Sequence, residues 1–178
     1  MSWAILRRAC LGPPAGASGT GPEIWRSADG GESWQLAKLA NGQLDEWAAG
    51  DPEMAKMFDW QPVDAPFSGK IDAIWSLGHA HGVLYAGAKP GALYASRDGG
   101  KDWQHVKGLS EHPSRDPHMK CARDEWNGGA AGLVLLTIVS DPEDAAKLWV
   151  GISAAGVFAT EDGGATWDRR NRLSNAED

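Results

Sequence analysis

The stretch His112-Pro113-Ser114-Arg115-Asp116-Pro117-His118-Met119-Lys120-Cys121-Ala122-Arg123-Asp124-Glu125-Trp126 holds the densest set of reactive side chains in the chain. Two imidazoles, a thiol and three carboxylates are donor types that zinc accepts. Their spacing follows no standard metal pattern, so a long surface loop that contacts a ligand is the better expectation. His112, Arg115, Asp116, His118, Arg123, Glu125 and Trp126 are the side chains expected to make that contact. Cys121 has only Lys120 and Arg123 nearby to favour a thiolate, and a free thiol is expected. The following Asn127-Gly128-Gly129-Ala130-Ala131-Gly132 could cradle an anion. No Gly-Lys-Ser/Thr follows it, so a tight approach into the next strand is preferred. His79-Ala80-His81 has the composition of a metal pair but reads as a solvated turn. His105 reads as a surface strand position.

A second set of carboxylates recurs. Ser27-Ala28-Asp29-Gly30-Gly31-Glu32-Ser33-Trp34, Ser96-Arg97-Asp98-Gly99-Gly100-Lys101-Asp102-Trp103 and Thr160-Glu161-Asp162-Gly163-Gly164-Ala165-Thr166-Trp167 align without gaps. Asp29 and Asp98 are 69 residues apart, and Asp98 and Asp162 are 64 apart. A calcium loop would need alternating acidic ligands and a terminal Glu, which this pattern lacks. The alternative is a structural turn. The paired glycines supply positive φ without steric cost. The Asp carboxylate accepts backbone N–H bonds within its own turn, the hydroxyl does so more weakly, and the Trp covers the hairpin.

Elements must hold those turns in place. Each copy lies between short apolar runs, at Ile24-Trp25, Ala92 to Ala95 and Val157 to Ala159, and an alternating stretch after the Trp. That is a β-hairpin pattern. Two more strand-like runs precede the second copy (Ile71 to Leu77, Val83 to Gly87) and the third (Leu133 to Val139, Leu148 to Ile152). Gly78, Gly82, Pro90-Gly91, Asp141-Pro142 and Ala155-Gly156 punctuate them as turns. Leu133 to Val139 is continuously apolar and predicts an inner strand buried on both faces. Ala48 to Phe58 predicts one or two helical turns, with Asp51 as N-cap and Pro52 at the first helical position.

Composition agrees. The 178 residues include 23 Gly, 10 Pro and 10 Trp, against two Tyr and three Phe. That bias suits many short strands joined by tight turns. A formal net charge of −7 argues against nucleic acid and against an anionic membrane surface. Two cysteines are too few for a disulfide framework. The first ten residues are the wrong order for a secretory segment, so a cytoplasmic setting is the default expectation. No cofactor is implied.

The repeated turn resembles the Asp-box, or bacterial neuraminidase repeat, and its frame is similar to bacterial Asp-box β-propeller proteins labelled exo-α-sialidase or glycosyl hydrolase. The resemblance covers roughly residues 21–36 and 70–172. It implies an all-β fold of four-stranded antiparallel blades, in which Ser27, Asp29, Gly30, Gly31, Trp34, Ser96, Asp98, Gly99, Gly100, Trp103, Thr160, Asp162, Gly163, Gly164 and Trp167 are structural and remote from any active site. Sialidase catalysis in that family needs an arginine triad, a Tyr–Glu pair and an Asp acid. The chain has only Tyr85 and Tyr94, and no Arg-Ile-Pro or Arg-Leu-Pro segment.

The expected organisation is a single partial propeller over 1–178 of about two and a half blades. The blades are 21–36 (partial), 70–107 and 132–172, with an insertion at 37–69 and an inter-blade loop at 108–131. Met1 to Thr20 reads as a poor source of inner strands. Such an arc is expected to join the remaining blades of a larger propeller, or to self-associate. The leading functional expectation is a non-catalytic segment that binds carbohydrate or protein. The alternatives are a glycoside hydrolase whose catalytic groups lie largely outside this chain, and a protein-assembly factor.

Overall fold

The computed structural model describes residues 2–4, 21–42, 45, 49–57, 59, 65–115 and 132–170. It contains three antiparallel sheets and few helices. The first sheet has the order β1 (Ser2–Ala4), β2 (Glu23–Ser27), β3 (Gln35–Lys38). The second runs β4 (Ala73–Ala80), β5 (Val83–Lys89), β6 (Ala92–Ser96), β7 (Gln104–His105). The third runs β8 (Leu135–Ser140), β9 (Leu148–Ile152), β10 (Gly156–Thr160), β11 (Asp168–Arg169). In each sheet the repeated Asp-Gly-Gly turn closes the last hairpin, between β2 and β3, β6 and β7, and β10 and β11.

The described residues form two compact units, Met1–Ile74 and Trp75–Asp178. Within the first, the Leu39 N–H donates to the Pro22 carbonyl at 3.1 Å and the Phe67 N–H to the Leu39 carbonyl at 2.9 Å. Ile24, Leu39 and Ala40 are buried beside that stitching. The Lys38 ammonium pairs with the buried Asp45 carboxylate. Ser2–Ala4 corrects the expectation for the N-terminal stretch, since it pairs antiparallel with Arg26 and its neighbours. The short helix Pro52–Met57 begins where Pro52 predicts it, with the Ala55 N–H donating to the Asp51 carbonyl at 3.0 Å. Proline suits a first helical position because its missing N–H would have no partner there.

Within the second unit, β5 and β6 are central strands and are buried along almost their whole length. Their upper face carries Tyr85, Gly87, Leu93 and Ala95. The third sheet lies on that face, and Tyr85, Leu93, Leu135, Leu148, Val150 and Phe158 form one core. Two glycines permit the approach. A methyl group on Gly87 would stand 2.5 Å from Leu135 Cδ2, and one on Gly78 would stand 2.9 Å from Ile138 Cγ2. The Ser76 hydroxyl donates to the Leu135 carbonyl at 2.8 Å.

Two expectations need correction. The apolar run ending at Val139 is not buried on both faces: Leu136 is 47% and Val139 52% exposed. Among the described residues β8 pairs with β9 alone; Leu135 and Ile138 pack toward the second sheet, while Leu136 and Val139 lie exposed. The expected loop 108–131 is also partly helical where described. Lys107–Ser110 forms a helical turn and Pro113–Arg115 a 3-10 turn.

Candidate functional site

The three Asp turns share one hydrogen-bond plan. In the first, the Ser27 hydroxyl donates to Asp29 Oδ1 at 2.7 Å and accepts the Gly31 N–H at 2.7 Å. The Ser33 N–H donates to Asp29 Oδ1 at 3.0 Å, and the Ser33 hydroxyl donates to Oδ2. The second repeats the relay, with Ser96 Oγ to Asp98 Oδ1 and the Gly100 N–H to Ser96 Oγ, both at 2.8 Å. The Lys101 N–H also reaches Asp98 Oδ1 at 3.0 Å, and the Asp102 N–H reaches both carboxylate oxygens at 3.1 Å. In the third, the Thr160 hydroxyl donates to Asp162 Oδ1 at 2.7 Å and accepts the Gly164 N–H at 2.9 Å. The Thr166 N–H and hydroxyl close that carboxylate at 2.9 Å and 2.5 Å.

The hydroxyl is therefore a buried relay between the second glycine and the Asp, not a weaker copy of the Asp. Ser27, Ser96 and Thr160 are all buried, while the three carboxylates are at the surface. The glycine pairs take positive φ throughout, for example 75° and 78° at Gly99 and Gly100. The residue four beyond each Asp was missed in the sequence reading. Its signal was present, as a hydroxyl at Ser33 and at Thr166.

These bonds fix the chemistry. Asp29 is held well below the usual carboxylate range, first by the Ser33 hydroxyl and then by the Ser33 N–H and the Ser27 hydroxyl. Asp98 is lowered chiefly by the Asp102 N–H, and Asp162 chiefly by the Thr166 hydroxyl. Hydrogen bonds to the charged form favour that form. Such a carboxylate has no proton to give at neutral pH and is a weak base.

The indoles differ. Trp34 Nε1 donates to the Gly31 carbonyl at 3.0 Å, and Trp167 Nε1 to the Gly164 carbonyl at 3.1 Å. Trp103 Nε1 is buried with no partner among the described residues.

Of the seven expected ligand-loop residues, His112 and Arg115 are described. Asp116, His118, Arg123, Glu125 and Trp126 lie outside the described residues, as do Lys120 and Cys121. His112 Nδ1 accepts the Ser114 N–H at 3.2 Å and lies 2.6 Å from the Ser114 hydroxyl. Its ring meets Phe158 edge-on, with centroids 5.1 Å apart. Arg115 is half-buried, and burial pulls its guanidinium below the ordinary value. Among the described residues, no three His, Cys, Asp or Glu side chains gather as a metal-holding group.

The other candidates take different places. His79 is exposed at the end of β4, while His81, with φ of 50°, places Nε2 2.8 Å from the Asp141 carbonyl. His79 thus has the solvated place expected of it, and the correction concerns His81 alone, which is exposed but meets a backbone carbonyl. His105 is half-buried, not at the surface. It stacks on Tyr94 at 5.0 Å and meets the Ser110 hydroxyl at 2.7 Å. Of the Asn127 to Gly132 run only Gly132 is described, and its carbonyl accepts the Ser153 hydroxyl at 3.0 Å. Burial pushes the Tyr85 and Tyr94 phenols up, so both stay neutral at physiological pH.

A groove of about 260 Å³ lies between the second and third sheets, lined among others by Tyr85, Arg97, Gln104, His105, Leu148 and Asp162. It draws on two repeats, so no local pattern in the sequence points to it. Its lining mixes apolar residues with the Arg97 guanidinium and with the Asp162 carboxylate, which is already bonded within its own turn.

No protein-family model matches the chain. No curated protein matches it either. Among solved structures it is similar to one described as "YCF48 bound to D1 peptide", with 16% identity and a TM-score of 0.26. That match covers 83% of this chain and 61% of the other.

Proposed function

We propose that this chain is an arc of an Asp-box β-propeller, sialidase-like in its repeats, that serves as a non-catalytic binding or scaffold segment. One observation carries the reading. In all three turns the carboxylate is engaged by its own turn's hydroxyl and N–H groups, which fits a staple and not a reactive acid. Glycoside hydrolysis, whether by two carboxyl groups or with a tyrosine nucleophile, needs an acid that still holds a proton to give to the leaving group. The Asp turns supply carboxyl groups of lowered pKa. The shared core between the third sheet and the second supports the reading of stacked blades. The ligand class we assign is carbohydrate or protein, met by the segment that starts at His112.

The test is paired. The chain is incubated with a fluorogenic sialoside, and Asp98→Ala and Asp162→Ala variants are melted beside the wild type. The reading expects no turnover by any of them and lower melting temperatures for both variants. Turnover that vanishes in Asp98→Ala at unchanged melting temperature would overturn it.

A further inference from the structure

The third sheet presents, uncovered, the face that its counterpart in the second sheet uses to receive a neighbour. The equivalence follows from the gapless repeat and the strand registers. A shift of 64 residues takes Leu93 to Val157 and Ala95 to Ala159. Gly87 sits opposite Leu93 and Tyr85 opposite Ala95, just as Gly151 sits opposite Val157 and Trp149 opposite Ala159. Thr137 and Val139 continue those rows onto β8. The small residue on the edge strand lies against the glycine in both sheets, Ser76 against Gly87 and Thr137 against Gly151.

On the second sheet this face is covered by the row Ile138, Val150, Phe158 of the third. On the third sheet it is open. Val139 is 52% and Val157 41% exposed, with Trp149 half-buried between them. A contiguous apolar face of this kind marks an interaction surface.

The chain also carries the complementary face. A shift of 64 and then 69 residues takes Phe158 back to Tyr94 and to Trp25. Trp25 pairs with Leu36 across β2 and β3, and with Ala4 across β1 and β2. Leu36 is 45% exposed. Trp25 and Leu36 thus hold on the first sheet the position from which Phe158 covers the second.

We propose that two copies of this chain associate head to tail, the Trp25–Leu36 face of one covering the Val139–Trp149–Val157 face of the other. The inference rests on the stacking seen inside the second unit and not on the propeller reading. The contact joins two different surfaces, so it is heterologous: repeated, it closes a ring or extends a filament.

The experiment is light scattering of the full chain over a concentration series, with thermal melts as the folding control. The wild-type mass rises above the monomer with concentration. Val157→Glu blocks one face and Leu36→Glu the other, and each alone abolishes the rise at unchanged melting. Both positions are partly exposed, and Val139→Lys and Leu36→Lys replace any variant that melts early. An equimolar mixture of Leu36→Glu and Val157→Glu then forms a species of twice the monomer mass and stops there, since each copy keeps one intact face. A wild type that stays monomeric overturns the proposal. So does a Leu36→Glu chain that assembles like the wild type, or a mixture that stays monomeric or grows beyond the dimer. Sialoside turnover and the melting of turn variants are read separately, so failure here leaves the propeller reading standing or falling on its own test.

Discussion

Gly87 of β5 lies under Leu135 of β8 so closely that a methyl group there would stand 2.5 Å from Leu135 Cδ2 and 2.8 Å from its carbonyl oxygen. The same methyl would also meet the Ser76 hydroxyl, which already bonds that carbonyl. The two sheets of the second unit are set at a distance that only a glycine at this position allows. Gly87→Ala is expected to cost about 1–3 kcal/mol through overpacking. Gly50→Ala, where a methyl meets nothing within 4 Å, is expected to be near neutral. Urea unfolding of the two variants beside the wild type checks the difference.

Trp167→Phe removes the indole bond to the Gly164 carbonyl, and a loss of about 0.5–1.5 kcal/mol is expected. Trp103→Phe removes a buried N–H that has no partner among the described residues. It is expected to cost less than Trp167→Phe, or to stabilise. Equal losses in thermal melts would show that the two turns hold their indoles alike.

Asp29, Asp98 and Asp162 all titrate below the ordinary carboxylate value in the folded chain. In the unfolded chain they bind protons near pH 3.9, so over that range the unfolded state holds more protons. Their contribution is full above roughly pH 4 and is lost as pH falls through the lower folded values. Asp162→Asn is expected to lower the urea midpoint at neutral pH and to flatten its fall in acid. Midpoints measured in steps from pH 7 to pH 3 give the comparison.

The second turn has Asp102 where the others have Ser33 and Thr166. Its backbone N–H still serves Asp98, and the Ser96 hydroxyl still reaches that carboxylate, but a second carboxyl group stands where the other turns place a second hydroxyl. Asp102→Thr is expected to raise the melting temperature, and the reverse exchange, Thr166→Asp, to lower it. A fall in melting temperature for Asp102→Thr would mean that Asp102 has a partner role the turn plan does not include.

The turns were legible because their information is local. Two glycines, one hydroxyl and one Asp within five residues specify the positive φ values and the carboxylate's partners. What lies across sheets was not legible. The exposure of Leu136 and Val139 depends on whether a neighbour covers β8, and an apolar run reads the same in either case. His81 meets the Asp141 carbonyl and His105 meets Tyr94, contacts set by strand register and stacking. Of the expected ligand loop, residues 112–115 are described, where His112 meets Phe158 and Ser114 and a 3-10 turn leads into Arg115.

Every side-chain bond in an Asp turn spans at most four residues, whereas Gly87 and Leu135 meet across nearly fifty positions of chain. Short loops close at low entropic cost, and contacts of small sequence separation form fast. The three hairpins are thus expected to order before the sheets find one another. The glycine-floored junction, with its long sequence separation, is expected to be the slow step. A lesion in a turn should then chiefly slow folding, because the turn is already formed when the sheets meet, while a lesion at Gly87 should both delay that docking and speed unfolding.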